Sequence, residues 1–156
     1  FRDTGYAQLI EEIDKTEGSK PIAVIFNLGV NDLGNAGNYV SYMTNIASTL
    51  KSKNCKLFYM SVNPINSIMI TKAGRGARTE AQVREFNSKI RSGLSLYYKY
   101  IDMYSVLMKK GYGTNARYDG VDDGDDGLHY TTKTFKRIYY YCITYLNTGS
   151  INASYY

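Results

Sequence analysis

The sequence has few cysteines, a single histidine and no long apolar run. The cysteines, Cys55 and Cys142, are too few for a disulfide framework. Both lie in apolar surroundings, so we expect free, buried thiols unless the fold brings them together. With only His129 and no C-x-x-C, the sequence argues against a structural zinc site. No apolar run approaches the roughly 20 residues that cross a bilayer, so no membrane span is expected.

The beginning of the sequence has neither the charged region nor the apolar region of a signal peptide. The first residue is Phe1 rather than Met. We therefore expect that the true beginning of the protein is absent from this sequence.

The composition is that of an ordinary globular protein, with 44% apolar and 21% charged residues. Its 156 residues suit one domain with one core, so we assign residues 1–156 to a single domain. The net charge is +5, and a positive surface can attract an acidic glycan or a nucleic acid. A solvated helix face plus a loop explains the basic stretch better, and no nucleic-acid-binding module accompanies it. The basic residues of that stretch are Lys72, Arg75, Arg78, Arg84, Lys89, Arg91 and Lys99.

Helical and strand-like segments alternate along the chain, which is typical of an α/β fold with a parallel sheet. We predict strands over residues 22–28, 57–62 and 98–101. The first is a continuous apolar run that suits a central strand covered on both faces. We predict helices over 6–15, 39–51 and 104–109, one from a capping box at Thr79 and Gln82 to Ser92, and one from about Thr131. The last helix is expected to turn Phe135, Ile138, Tyr139, Cys142 and Leu146 inward.

The first motif is Gly29-Val30-Asn31-Asp32, directly after the first predicted strand. Ligands of open α/β sheets bind at the carboxyl ends of the strands, where Asn31 would lie. Its amide is a neutral donor that can stabilise an oxyanion, and Gly29 permits a sharp turn. The alternative is a simple Gly/Asn turn in which Asp32 caps a helix.

The second motif is Asp126-Gly127-Leu128-His129, in a polar loop before the last helix. A carboxylate three residues before a histidine can bond one imidazole nitrogen and leave the other as a general base. A lone histidine is more often structural than catalytic. A catalytic role is favoured for His129 because this residue lies in a polar loop rather than on an apolar face.

Together the two motifs resemble those of the SGNH hydrolase family, also called GDSL-type esterases and lipases. The Gly-x-Asn-Asp block is matched by Gly29, Asn31 and Asp32, and the Asp-x-x-His block by Asp126 and His129. The residues 24–32 and 61–64 look like those of bacterial members. The resemblance extends over nearly the whole chain from Tyr6 onward.

The resemblance implies a flavodoxin-like three-layer α/β/α sandwich and a serine-dependent hydrolysis of carboxylic esters without a cofactor. It implies that His129 is the general base, that Asp126 orients it and that Asn31 donates to the oxyanion. Asp32 would support the loop. The substrate would be a small-molecule, lipid or glycan ester, such as an acetylated carbohydrate, and the location would be secreted or the cell envelope.

The family's first block, Gly-Asp-Ser at the end of the first strand, is absent from this sequence. Its second-block glycine has no clear match either, since Arg2, Asp3 and Thr4 occupy that neighbourhood and Gly5 is too uncertain a match to carry the role. A parallel sheet also predicts a strand before the first helix. We therefore expect an N-terminally incomplete domain whose missing strand comes from an upstream segment or a second chain. Neither Ser61 nor Ser105 lies on the strained turn that a replacement nucleophile needs.

The sequence also bears on metal binding and on two functions other than hydrolysis. The acidic run of Asp119, Asp122, Asp123, Asp125 and Asp126 lacks the spacing and the final Glu of a calcium-binding EF-hand loop, so we predict no metal site. The absent serine also permits a catalytically inactive module that holds a glycan in the same pocket, or a plain interaction domain.

Overall fold

A computed structural model of the chain describes residues 1–16, 18–113 and 126–151. Over these residues the chain forms six helices and three strands. The strands are β1 (Ile22–Phe26), β2 (Cys55–Met60) and β3 (Lys99–Ile101). The helices are α1 (Gly5–Lys15), α2 (Ala36–Ser52), α3 (Ser67–Lys72), α4 (Glu80–Gly93), α5 (Met103–Lys109) and α6 (Thr132–Thr148).

The three strands form one parallel sheet in the order β1-β2-β3. Ile22 of β1 lies opposite Cys55 of β2, and Phe58 of β2 lies opposite Lys99 of β3. Helices connect the strands, as parallel neighbours require. The predicted α/β class with a parallel sheet is confirmed.

The position of β1 in the sheet differs from the prediction. We expected a central strand covered on both faces, but β1 lies at one edge and β2 at the centre. Ala23 is exposed and Ile25 is only partly buried, because among the described residues β1 has a neighbour on one side only. In β2 every residue except Lys56 is buried.

Two apolar clusters contact the sheet. Along β2, Leu57 and Tyr59 belong to the first cluster, whereas Phe58 and Met60 belong to the second. This alternation follows from the pleat, which directs successive side chains to opposite faces. The first cluster includes residues of α1, α2 and α4, and the second includes residues of α5 and α6. Burial of each large side chain contributes roughly 1.5–3 kcal/mol, so β2 anchors both helix groups.

The inner face of α6 was predicted only in part. Ile138 and Cys142 are buried, and Leu146 packs against the second cluster, as expected. Phe135 and Tyr139 are instead 50% and 62% exposed. Their places on the inner face are taken by Thr134 and Tyr141. Because residues 139–141 are all tyrosine, the sequence does not show which of them faces the sheet. Packing of α6 against β2 and β3 buries Tyr141.

No helix or strand was predicted between the second strand and the capping box at Thr79, but this segment contains α3. The Asn66 side chain caps this helix by accepting from the backbone N–H of Met69 at 3.1 Å. Ile70 is fully buried. A helix of six residues is too short to show a periodic pattern, so the sequence did not reveal it.

The capping box of α4 is confirmed. The Thr79 hydroxyl accepts from the backbone N–H of Gln82 at 3.2 Å, and the Gln82 side chain accepts from the backbone N–H of Thr79 at 2.8 Å. Both cysteines are free and buried, as predicted. Within the described ranges, no helix has the length and apolar character to cross a membrane.

Candidate active site

The Gly29–Asp32 motif forms a tight turn at the carboxyl end of β1. Gly29 is buried with φ +109°, and a Cβ atom there would lie 2.5 Å from the Phe86 ring. Only glycine fits such a position. The turn is closed by a hydrogen bond from the backbone N–H of Asp32 to the Gly29 carbonyl at 2.8 Å. The sharp turn that the sequence predicted at Gly29 is therefore present.

Asn31 projects from this turn into solvent. Its Oδ1 accepts a hydrogen bond from Nη2 of Arg78 at 3.0 Å. Nε of Arg78 also donates to the carbonyl of Val30 at 3.2 Å. Because a guanidinium group only donates, the Asn31 oxygen faces Arg78 and the amide N–H₂ group points away from it. Asn31 thus presents donors, as an oxyanion-binding residue must.

Asp32 contributes through its backbone. Its carbonyl accepts from the backbone N–H of Asn35 at 2.8 Å, in addition to the bond from Asp32 to Gly29. Helix α2 begins at Ala36, and its N-cap position is held by Asn35 rather than Asp32. The simple alternative in which Asp32 caps the helix does not hold, and a role in supporting the loop is consistent with these bonds.

Asp126 and His129 form a hydrogen-bonded pair. Oδ2 of Asp126 lies 2.5 Å from Nδ1 of His129. The Asp126 side chain is 4% exposed, whereas that of His129 is 65% exposed. Among the described residues, Nε2 of His129 has no hydrogen-bond partner. A buried carboxylate at Nδ1 and an open Nε2 form the arrangement of a general base with its orienting acid.

The charge on Asp126 is held by hydrogen bonds. Burial by itself would raise the pKa of this carboxyl group, but bonds from the backbone N–H groups of His129 and Leu128 and from the His129 ring lower the pKa to about 2. The backbone donors lie 3.0 and 2.8 Å from Oδ1. Asp126 is therefore an anion at neutral pH and can stabilise an imidazolium ion.

The loop that carries His129 is attached to the segment after β2. The backbone N–H of Asn66 donates to the Gly127 carbonyl at 2.9 Å. Gly127 has φ +74°, and a Cβ atom there would lie 2.4 Å from the Asn66 carbonyl oxygen. The Tyr130 hydroxyl donates to the Pro64 carbonyl at 2.5 Å. These contacts place the loop at the carboxyl end of the sheet.

Val30 of the first motif and Leu128 of the second line one small cavity of about 120 Å³, whereas Asn31, Asp126 and His129 are not among the described residues that line it. Leu28 and Val30, which flank Gly29, line this cavity together with Leu128 and Tyr130, which flank His129. Its wall also contains Asn63, whose buried Oδ1 has no hydrogen-bond partner among the described residues. The further lining residues are Asn27, Val62, Pro64, Ile65 and Phe135.

Sequence reasoning missed two arginines of this site. Arg75 and Arg78 lie between α3 and α4, and we interpreted them as part of a solvated basic stretch. Nε of Arg75 lies 3.2 Å from Oδ2 of Asp126, and Arg78 bonds Asn31. No short motif marks them, because the contacts cross 47 residues or more of sequence. The interpretation as a solvated helix face holds for Arg84 and Lys89, whose side chains are each 58% exposed and pair at i, i+4 spacing with Glu80 and Glu85 on α4.

Neither serine that we considered as a substitute nucleophile is available. Ser61 is fully buried, and its hydroxyl accepts from the backbone N–H of Tyr104 at 2.7 Å. The Ser105 hydroxyl donates to Asp102 at 2.9 Å. Both serines therefore have structural roles at the start of α5.

The residues of the acidic run other than Asp126, namely Asp119, Asp122, Asp123 and Asp125, lie outside the described residues. In residues 1–16, 18–113 and 126–151, no three His, Cys, Asp or Glu side chains come together as metal ligands. No protein-family model matches the chain, and no curated protein is significantly similar to it. The site is thus interpreted from its own geometry.

Proposed function

We propose that this chain is the larger part of a serine-dependent ester hydrolase of the SGNH type, with a flavodoxin-like three-layer fold. The observation that supports this proposal is the bond between Nδ1 of His129 and the buried Asp126 carboxylate, on a histidine whose side chain is 65% exposed and whose Nε2 has no partner among the described residues. The turn at Gly29 and the outward N–H₂ group of Asn31 at the same edge of the sheet add an oxyanion donor. The substrate is a carboxylic ester of a small molecule, lipid or glycan.

In the proposed reaction, Nε2 of His129 removes the proton of a serine hydroxyl while the serine oxygen attacks the ester carbonyl carbon. Asn31 donates to the oxyanion that forms, and Asp126 stabilises the imidazolium. His129 then gives its proton to the alcohol oxygen as the carbon–oxygen bond breaks. Water, activated by the same imidazole, releases the acid and regenerates the serine.

The serine is proposed to come from a strand that pairs with the open edge of β1. Two features of the described residues support this proposal. Ala23 and Ile25 of β1 are incompletely covered, as expected of a strand that awaits a neighbour. The carboxyl end of such a parallel strand would lie beside Gly29, next to the cavity that reaches Leu128 and Tyr130.

The test is hydrolysis of 4-nitrophenyl acetate by the full-length gene product and its His129→Ala variant. We expect a loss of at least about 10³-fold, because general-base and nucleophile activation are both removed. Lys136→Ala, an exposed residue of α6, is the control and should leave the rate unchanged. Full activity of His129→Ala would overturn the proposal.

A catalytically inactive glycan-binding module is the second candidate. The observation that favours it is that the chain has no Gly-Asp-Ser and that Ser61 and Ser105 are engaged in structural bonds. This candidate predicts saturable binding of an acetylated glycan without acetate release by the full-length gene product. Acetate release that depends on His129 would exclude it.

A further inference from the structure

We propose that Arg78 is a positioning residue that holds the Asn31 amide with its N–H₂ group toward the reacting ester. The geometrical part, that Arg78 fixes the orientation of the Asn31 amide, depends only on contacts between described residues. Its kinetic part rests on the proposed hydrolase function. Arg78 would act on the oxyanion through Asn31 and would not touch the substrate.

All three nitrogens of the Arg78 guanidinium group donate to the protein. Nε donates to the Val30 carbonyl at 3.2 Å, Nη1 to the Arg75 carbonyl at 2.6 Å and Nη2 to Oδ1 of Asn31 at 3.0 Å. Three acceptors in different directions fix both the position and the plane of a guanidinium group. Arg78 is partly buried, in contrast to Arg75, whose side chain is 51% exposed.

Asn31 needs such a partner because, within the part of the chain that the structure describes, its side chain makes no other hydrogen bond. The backbone is fixed by the turn from Gly29 to Asp32, but the Asn31 side chain is exposed and is not held by packing. A rotation of the amide by half a turn would exchange its oxygen and its N–H₂ group. That rotation would set donors against the donors of Arg78, so the guanidinium group selects one orientation.

The same contact improves Asn31 as a donor. A hydrogen bond from a cationic group to the amide oxygen draws electron density from the amide nitrogen, and linked hydrogen bonds strengthen each other. The N–H groups of Asn31 are then better donors to an oxyanion. Lysine cannot replace arginine here, because an ammonium group lacks the planar fork that reaches Val30 and Asn31 together.

The geometrical part is tested by NMR of the side-chain amide of Asn31 in the chain as it stands. Asn31→Ser assigns the signal by removing it. We expect a rigid amide in the unmodified chain, with an order parameter of about 0.8. In Arg78→Met this order parameter should fall below about 0.6. Arg84→Met, which removes an exposed arginine of α4, is the matched control and should leave the signal unchanged. An Asn31 signal that is the same in Arg78→Met would overturn the inference.

The kinetic part is tested by a double-mutant cycle in the full-length gene product. Removal of one oxyanion donor costs about 10²–10³-fold in kcat, so we expect Arg78→Met to lose roughly 10–100-fold in kcat with little change in KM. In an Asn31→Ala background the same substitution should have no further effect, because the side chain through which Arg78 is proposed to act has gone. An equal loss in both backgrounds would show that Arg78 acts otherwise and would overturn the positioning role.

The outcome for Arg78 and the outcome for the proposed function can be told apart. If both His129→Ala and Asn31→Ala retain full hydrolysis, the hydrolase proposal fails and the NMR measurement still decides the geometry. If these two variants lose activity but Arg78→Met does not, the function stands and the positioning role is wrong.

Discussion

Nε of Arg75 lies 3.2 Å from Oδ2 of Asp126, the same oxygen that lies 2.5 Å from Nδ1 of His129. The carboxylate therefore has a cation and an imidazole on one oxygen and two backbone donors on the other. Segment 73–78 thus contacts the His129 loop through Arg75 and the Gly29 turn through Arg78. This segment links the two halves of the site.

Arg75→Met should cost less than about 1 kcal/mol in free energy of unfolding, because the Arg75 side chain is 51% exposed and water screens its charge. Asp126 keeps its backbone donors in this variant. Urea unfolding at neutral pH measures the difference from the unmodified chain. High salt should reduce that difference further, since it screens the pair. A loss above about 2 kcal/mol would mean that Arg75 is part of the structural core of the loop.

Asp126→Asn should change the pH dependence of stability. Its pKa is lowered from 3.8 to about 2 in the folded chain. A carboxyl group whose pKa is lower in the folded than in the unfolded chain stabilises the fold at a pH above its unfolded pKa. This stabilisation is lost as the pH falls through its folded pKa. We expect Asp126→Asn to be less stable by on the order of 2 kcal/mol at pH 7 and to approach the unmodified chain near pH 2.

The measurement is urea unfolding at pH 7, 4 and 2.5 for both chains. Glu11→Gln serves as the control, since Glu11 forms an exposed pair with Lys15. Its difference from the unmodified chain should be small at every pH. A constant difference for Asp126→Asn from pH 7 to pH 2.5 would contradict the assigned ionisation.

Gly127→Ala should destabilise the chain by more than about 2 kcal/mol. The residue has φ +74°, and the added Cβ would lie 2.4 Å from the Asn66 carbonyl oxygen and 2.8 Å from the Ile70 nitrogen. Both are backbone atoms, so the loop must move. Gly37→Ala in α2 meets nothing within 4 Å and should stabilise the chain by up to about 1 kcal/mol. Thermal unfolding of both variants measures this difference in stability. Equal melting temperatures for the two variants would contradict the prediction.

Thr79→Ala should cost about 1 kcal/mol, because it removes the side-chain half of the capping box of α4. That helix also carries Asn87, whose side chain bonds both the N–H and the carbonyl of Val62. Thr49→Ala, at an exposed position of α2, should be neutral or slightly stabilising. Urea unfolding measures the free energy of unfolding of both variants. A similar loss of stability in Thr79→Ala and Thr49→Ala would argue against the cap.

Much of the fold could be predicted because its signals are local. The apolar run after Pro21 predicts β1, and the spacing of Thr79 and Gln82 predicts the start of α4. Both depend on residues within a few positions of each other. The edge position of β1 and the inner face of α6 could not be predicted. They depend on which elements pack together, as the exposure of Tyr139 and the burial of Tyr141 illustrate.

The sequence by itself determined the pairing of Asp126 with His129, because three residues of spacing and the positive φ of Gly127 bring the two side chains together in one short loop. It also determined the turn at Gly29. Only the tertiary structure decided that Val30 of one motif and Leu128 of the other line one cavity and that Arg75 and Arg78 contact the two motifs. Such contacts form between segments dozens of residues apart, and they exist only after a parallel sheet brings the ends of its strands to one edge.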